Sequence, residues 1–187
     1  MTLQAAAAIA QAVGSLVVAG TAFFGLQSWK KQKQWDRHAD VASGIMASLF
    51  EFEERFAEAR APLSFLPDTI DIADQDAVKK YQIEERSQKL QALGSDYNAL
   101  VQNIARAELW KLHFCADEMK ALKKAVHELA AASRAYYSLD WRDPSPNMKE
   151  HYKTVQERMW GERNDAFGKV VGVNAEQIRE ACRKLAN

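Results

Sequence analysis

Residues 3–29 read LQAAAAIAQAVGSLVVAGTAFFGLQSW, a run of small and apolar side chains with no charge before Lys30. At about 1.5 Å rise per residue, some 20 apolar residues cross the hydrocarbon core of a bilayer, so the run predicts a transmembrane helix over residues 1–29. Ile9, Val13, Leu16, Val17, Val18, Phe23, Phe24 and Leu26 drive that placement, while Gln11, Ser15, Thr21 and the glycines oppose it. A cleaved signal peptide needs a basic segment ahead of its apolar run, and here the basic residues come after it. A buried core helix rich in alanine is the competing reading. A helix lying flat on a membrane would need a strongly charged face, which is lacking.

Past residue 40 the spacing becomes three-four. Ile45, Leu49, Phe52 and Phe56 mark one face of an amphipathic helix that runs to about Arg60 and is stopped by Pro62 and Pro67. A loop over residues 61–76 follows, with Asp74 or Asp76 as the cap of the next helix. Leu90, Leu93, Tyr97, Leu100, Ile104 and Ala107 form the seam of a coiled coil or bundle and keep phase through Gly94. Cys115, Met119, Leu122, Val126, Leu129, Ser133 and Tyr136 form a second seam. The two seams lose phase around Leu112–Ala116, so either the chain reverses there or one long helix contains a stutter. Asp143-Pro144-Ser145-Pro146 sets a turn over residues 141–147. A helix from Pro146 to about Val171 then turns Tyr152, Val155, Met159, Phe167 and Val170 inward. Gly172 closes it, and Asn174 with Gln177 caps a short last helix striped by Ile178, Cys182 and Leu185.

The predicted fold is all-α: one N-terminal transmembrane helix, a basic juxtamembrane segment over residues 30–37, and an antiparallel helical bundle over residues 38–187. The low content of glycine (8) and proline (4) agrees with it. Charge refines the picture. Acidic and basic residues balance at 25 each, so no basic excess exists to neutralise phosphates, and nucleic acid is not an expected partner. Lys30, Lys31, Lys33 and Arg37 cluster directly after the apolar run, and Trp29 sits where an interfacial aromatic belongs. Basic residues stay on the inner side, which predicts a single pass through the inner (plasma) membrane with the N-terminus outside and the bundle cytoplasmic. Cys115 and Cys182 are too few and too distant for a disulfide framework and read as reduced thiols.

At about 100° per residue, Gln4, Ala8, Gln11, Ser15, Ala19 and Ala22 share one stripe of the first helix, opposite Val13, Val17 and Phe24. Small residues let backbones approach, and glutamine or serine hydrogen-bonds between helices in lipid, so the stripe predicts a homo-oligomer. An alanine-rich segment also shows such a stripe by composition alone.

Tests for chemistry return little. No glycine-rich phosphate loop, Walker lysine or nucleophile elbow is present. His113 and Cys115 are two apart and diverge on a helix, while His113 and Asp117, four apart, lack further ligands nearby. His127-Glu128 opens like a zinc-peptidase helix, but Ala131 stands where the second histidine belongs. Asp74, Asp76 and Glu85 mimic part of a calcium loop, with Lys79 in the glycine position. Cys115 has no basic neighbour to activate it, and Trp110, Trp141 and Trp160 with Tyr136 and Tyr137 read as packing at the bundle ends. The chain is therefore expected to be no enzyme and to hold no cofactor or metal.

Two functions follow from these features. The first is a membrane-anchored interaction module that holds a protein partner at the inner membrane and self-associates. The second is a membrane-perturbing effector of defence or toxin type, whose spans cluster on activation. The layout of a charge-poor span, then Ser28-Trp29-Lys30-Lys31-Gln32-Lys33-Gln34-Trp35, then an amphipathic helical domain, resembles the small single-span proteins of bacteria and their phages. Some of those are encoded beside anti-phage defence genes, and the resemblance implies the second function.

Overall fold

The computed structural model describes residues 3–61, 66–108, 115–138, 146–161 and 165–186, leaving undescribed the side chains of residues 3–10, 12, 13, 17, 108, 146 and 147. Its elements are α1 (Leu3–Arg60), α2 (Gln75–Glu108), α3 (Ala116–Ser138), α4 (Pro146–Met159) and α5 (Ala166–Ala186). No strand occurs among the described residues. The chain divides into two compact units, Met1–Asp40 and Val41–Leu185.

In the first unit, one expectation is corrected. Among the described residues no helix is long and apolar enough to cross a membrane. The transmembrane helix over residues 1–29 is therefore overturned, and with it the single pass through the inner (plasma) membrane on which the outside N-terminus and the cytoplasmic bundle rested. Polar groups explain the shortfall in the described part. Gln11, Ser15, Thr21, Gln27 and Ser28 interrupt the apolar run, and the hydroxyls of Ser15 and Thr21 donate to Gln11 O and Val18 O of their own helix, each at 2.9 Å. Ile9, Val13 and Val17, which weighed in that expectation, have side chains outside the described residues.

The second unit is a helical bundle with an apolar centre. Ile45, Leu49 and Phe52 of α1, Leu93 and Leu100 of α2, Leu122 and Leu129 of α3, Met159 of α4, and Ile178 and Cys182 of α5 are fully enclosed. Phe56, Ile104 and Met119 are buried beside them, whereas Leu90, Tyr97 and Val126 are half-buried. On α3 the inward position next to Val126 is taken by Ala125, which keeps the face through Met119, Leu122 and Leu129. Tyr97 sits at the rim, its ring 6.1 Å from that of Phe52 and its hydroxyl donating to Met119 O at 3.4 Å. Burial pushes the Tyr97 phenol pKa up.

The helix ends have local causes. Asp74 caps α2: its Oδ1 accepts from Asp76 N at 3.1 Å and Ala77 N at 3.0 Å. Separate helices α2 and α3 stand where a stutter was the alternative, and Cys115 enters α3 with a left-handed φ of 53°. Most of Leu112–Ala116 and most of the turn over 141–147 lie outside the described residues, as do Trp110, His113 and Trp141. The C-terminal boundary differs from the expected one. α4 stops at Met159, and α5 runs without a break through Gly172 and Asn174. Gly172 has open space around it and no positive φ, and the Asn174 amide donates to Val170 O within the helix at 2.7 Å. Capping falls instead to Asp165, whose Oδ1 accepts from Gly168 N at 2.6 Å.

Candidate functional site

Among the described residues, two places depart from an ordinary helical surface and core. The first is a pair of arginines sunk into the bundle; the second is the exposed apolar part of α1.

Arg60 ends α1 and is only 1% exposed. Its guanidinium forks onto Asp165, Nη2 to Oδ2 at 2.5 Å and Nη1 to Oδ1 at 3.1 Å. Its other donors reach the end of α4, Nε to Arg158 O at 3.1 Å and Nη2 to Glu157 O at 2.8 Å. Those carbonyls point along the negative end of the α4 dipole and lack partners within their own helix, so a buried cation is well placed there. The guanidinium also lies 5.0 Å from the centre of the Phe167 ring. Arg60 thus joins α1, α4 and the start of α5. Asp165 feels opposing influences. Partial burial pushes its pKa up, but the Arg60 hydrogen bond and the Gly168 N–H outweigh it and hold the carboxyl below the usual range.

Gly161 makes this pairing sterically possible. A Cβ at that position would collide with Asp165 Oδ2 and Arg60 Nη2. Gly161→Ala is expected to force the fork apart and to lower stability by about 2–4 kcal/mol, within the range for overpacking combined with a broken buried pair. A urea titration followed by circular dichroism checks it, and an unchanged midpoint would refute the close approach.

Arg86 of α2 is likewise 1% exposed. Its Nη1 donates to Ala59 O and its Nη2 to Ala61 O at 3.3 Å, closing the C-terminus of α1 as Arg60 closes that of α4. The guanidinium stacks over Trp160 at 4.4 Å, and Trp160 meets Tyr136 edge-on at 5.6 Å. Burial draws the Arg86 pKa down, with neighbouring Tyr137 partly offsetting it. The buried Nε has no hydrogen-bond partner among the described residues.

This cluster clamps helix ends, and its Asp165 also lines an open pocket of 820 Å³ together with Glu128, Glu157 and Arg158. Burial pushes Cys115 and Cys182 up to about 11, so both are protonated near neutral pH. Among the described residues no three His, Cys, Asp or Glu side chains gather as a metal site requires.

The α1 segment over residues 11–35 is of another kind. Leu16 (73% exposed), Val18, Phe23, Phe24 (72%), Leu26, Trp29 and Trp35 all face solvent. At about 100° per residue they point to every side of the helix: Leu16 and Phe23 one way, Val18 and Trp29 the opposite way, Phe24 and Leu26 between. Gln11, Ser15, Ala19 and Ala22 of the expected association stripe are exposed too, whereas the side chains of Gln4 and Ala8 lie outside the described residues. Lys30, Lys31 and Lys33 follow, exposed, with the Lys33 ammonium 4.9 Å over the Trp29 ring.

The sequence reading missed the arginine cluster. A signal existed: Arg60 lies four residues after Phe56 on a buried face, and Arg86 lies seven before Leu93 in the α2 seam. A charge in phase with a hydrophobic seam marks a buried, paired group.

No protein-family model, curated protein or solved structure matches the chain.

Proposed function

We propose that this protein is a helical interaction module that works by association and not by catalysis, with the α1 segment over residues 11–35 as its self-association surface. The observation that carries this reading is the run of exposed large apolar side chains from Leu16 to Trp35. Single exposed apolar residues are ordinary, but a contiguous group marks an interaction surface. A helix apolar on every side is stable in water only when neighbours cover more than one of its faces. Copies of the same segment supply those neighbours from a single chain, and small residues at Ala19, Gly20, Ala22 and Gly25 let helices approach closely.

Sedimentation velocity of the full chain over a concentration series tests the proposal. The wild type is expected to shift from monomer to oligomer. Phe23→Asp, Phe24→Asp and Leu26→Asp combined are expected to weaken association by about 100-fold or more, because each subunit would bury unpaired carboxylates. Far-ultraviolet circular dichroism reports whether the bundle persists. A wild-type chain that stays monomeric at every concentration overturns the reading.

A further inference from the structure

Six of the exposed apolar side chains of α1 over residues 16–35 fall into three pairs. Leu16 and Phe23 are seven residues apart, Val18 and Trp29 eleven, and Phe24 and Trp35 eleven. At 3.6 residues per turn these steps are close to two, three and three whole turns, so each pair stacks on one face of the helix. Phe23 and Phe24 are neighbours in sequence, which sets their faces about 100° apart. Trp29 lies five residues after Phe24, which turns the third face about 140° further. The three faces therefore divide the circumference almost evenly.

We infer that at least two further copies of this chain pack against each α1 segment, so that the assembly contains three chains or more. The inference rests on the proposed self-association and states how many neighbours the segment takes. One neighbouring helix covers an apolar stripe about 100° wide. A simple pair of helices would thus cover one face and leave the other two in water. Phe23, Phe24, Trp29 and Trp35 are each more than half exposed and together leave on the order of 400 Å² of ring surface bare. Two neighbours cover two faces, and three chains form the smallest closed ring in which every segment has two neighbours.

Copies of the segment suit this arrangement better than any other part of the chain does. Elsewhere among the described residues the exposed large apolar side chains stand alone or in pairs, such as Met46 with Phe50 and Val170 with Val173. Burial on several sides also requires that no charge be stranded, and residues 11–29 carry none. Their polar groups are partly satisfied before any copy arrives, since the Ser15 and Thr21 hydroxyls donate to carbonyls of α1 itself. Gln11 and Gln27 carry amides, each able to donate and accept between copies.

The mass of the full-length assembly tests this without any substitution. Native mass spectrometry and sedimentation equilibrium at rising concentration are expected to end at three chains or more. A limiting mass of two chains overturns the inference and leaves self-association standing, whereas a chain that stays monomeric removes both. Three double variants then read the faces one at a time: Leu16→Asp with Phe23→Asp, Val18→Asp with Trp29→Asp, and Phe24→Asp with Trp35→Asp. At least two of the three are expected to weaken association by about tenfold or more, because each places carboxylates in a buried contact. If only one does so, while circular dichroism shows the helices intact, a single face carries the contact and the inference is overturned. If none does so, the copies meet elsewhere and both readings fall.

Discussion

Arg60→Ala is expected to lower the stability of the bundle by about 3–5 kcal/mol, the range for removing one partner of a buried ion pair. The change strips Asp165 of its fork, leaves the Glu157 and Arg158 carbonyls without donors, and opens a void beside Phe56 and Phe167. Arg60→Lys is expected to recover little, since one ammonium cannot reach a carboxylate and two carbonyls in the planar geometry that a guanidinium spans. Urea unfolding gives the size of the loss, and a shift below about 1 kcal/mol would show that the pair is dispensable. The pH dependence supplies an independent readout. Asp165 is held below its ordinary pKa, so its contribution is complete above the unfolded carboxylate range and fades as pH falls through the folded value. Wild-type stability should thus decline below about pH 4, and Arg60→Ala should decline less over that window.

Phe52→Ala is expected to cost about 3–5 kcal/mol, while Phe50→Ala, two residues away on the same helix, stays within about 0.5 kcal/mol. Phe52 is 0% exposed and packs between Phe56 and Tyr97, with ring centres 6.1 Å apart in both cases. Phe50 is 58% exposed. Truncating Phe52 leaves a cavity that rigid neighbouring helices cannot close, whereas truncating Phe50 only removes surface. Thermal melts of the two variants decide the matter: equal losses would mean that the buried face of α1 is misassigned.

The contrast between these phenylalanines also shows why some of the fold was legible. Ile45, Leu49, Phe52 and Phe56 recur at helical spacing, so the sequence alone separates Phe52 from Phe50. The rule weakens where the inward residue is small. Ala125 does not advertise itself beside Val126, so the α3 seam places Val126 where Ala125 packs, while Met119, Leu122, Leu129 and Ser133 are buried as expected. It fails at the end of the chain, where Gly172 and Asn174 look like punctuation but lie inside α5. Neither residue adopts a capping conformation, and Asp165 already closes the helix start. Arg60 and Arg86 were read past for a different reason: isolated charge implies solvent until a partner is known, and the partners are Asp165 and helix-end carbonyls far along the chain. For residues 1–29, freedom from charge is a necessary condition for lipid and not a sufficient one. The exposed apolar side chains between Leu16 and Trp35 remain the fact that any role must accommodate.

Gly161 carries a consequence for the history of this fold. Any side chain there would strike both members of the pair that joins α1 to the beginning of α5. A side chain at position 161 is therefore expected mainly in lineages where Arg60 or Asp165 has also changed. In a set of diverged sequences these three sites should change as a trio, with glycine retained wherever the guanidinium and carboxylate persist together.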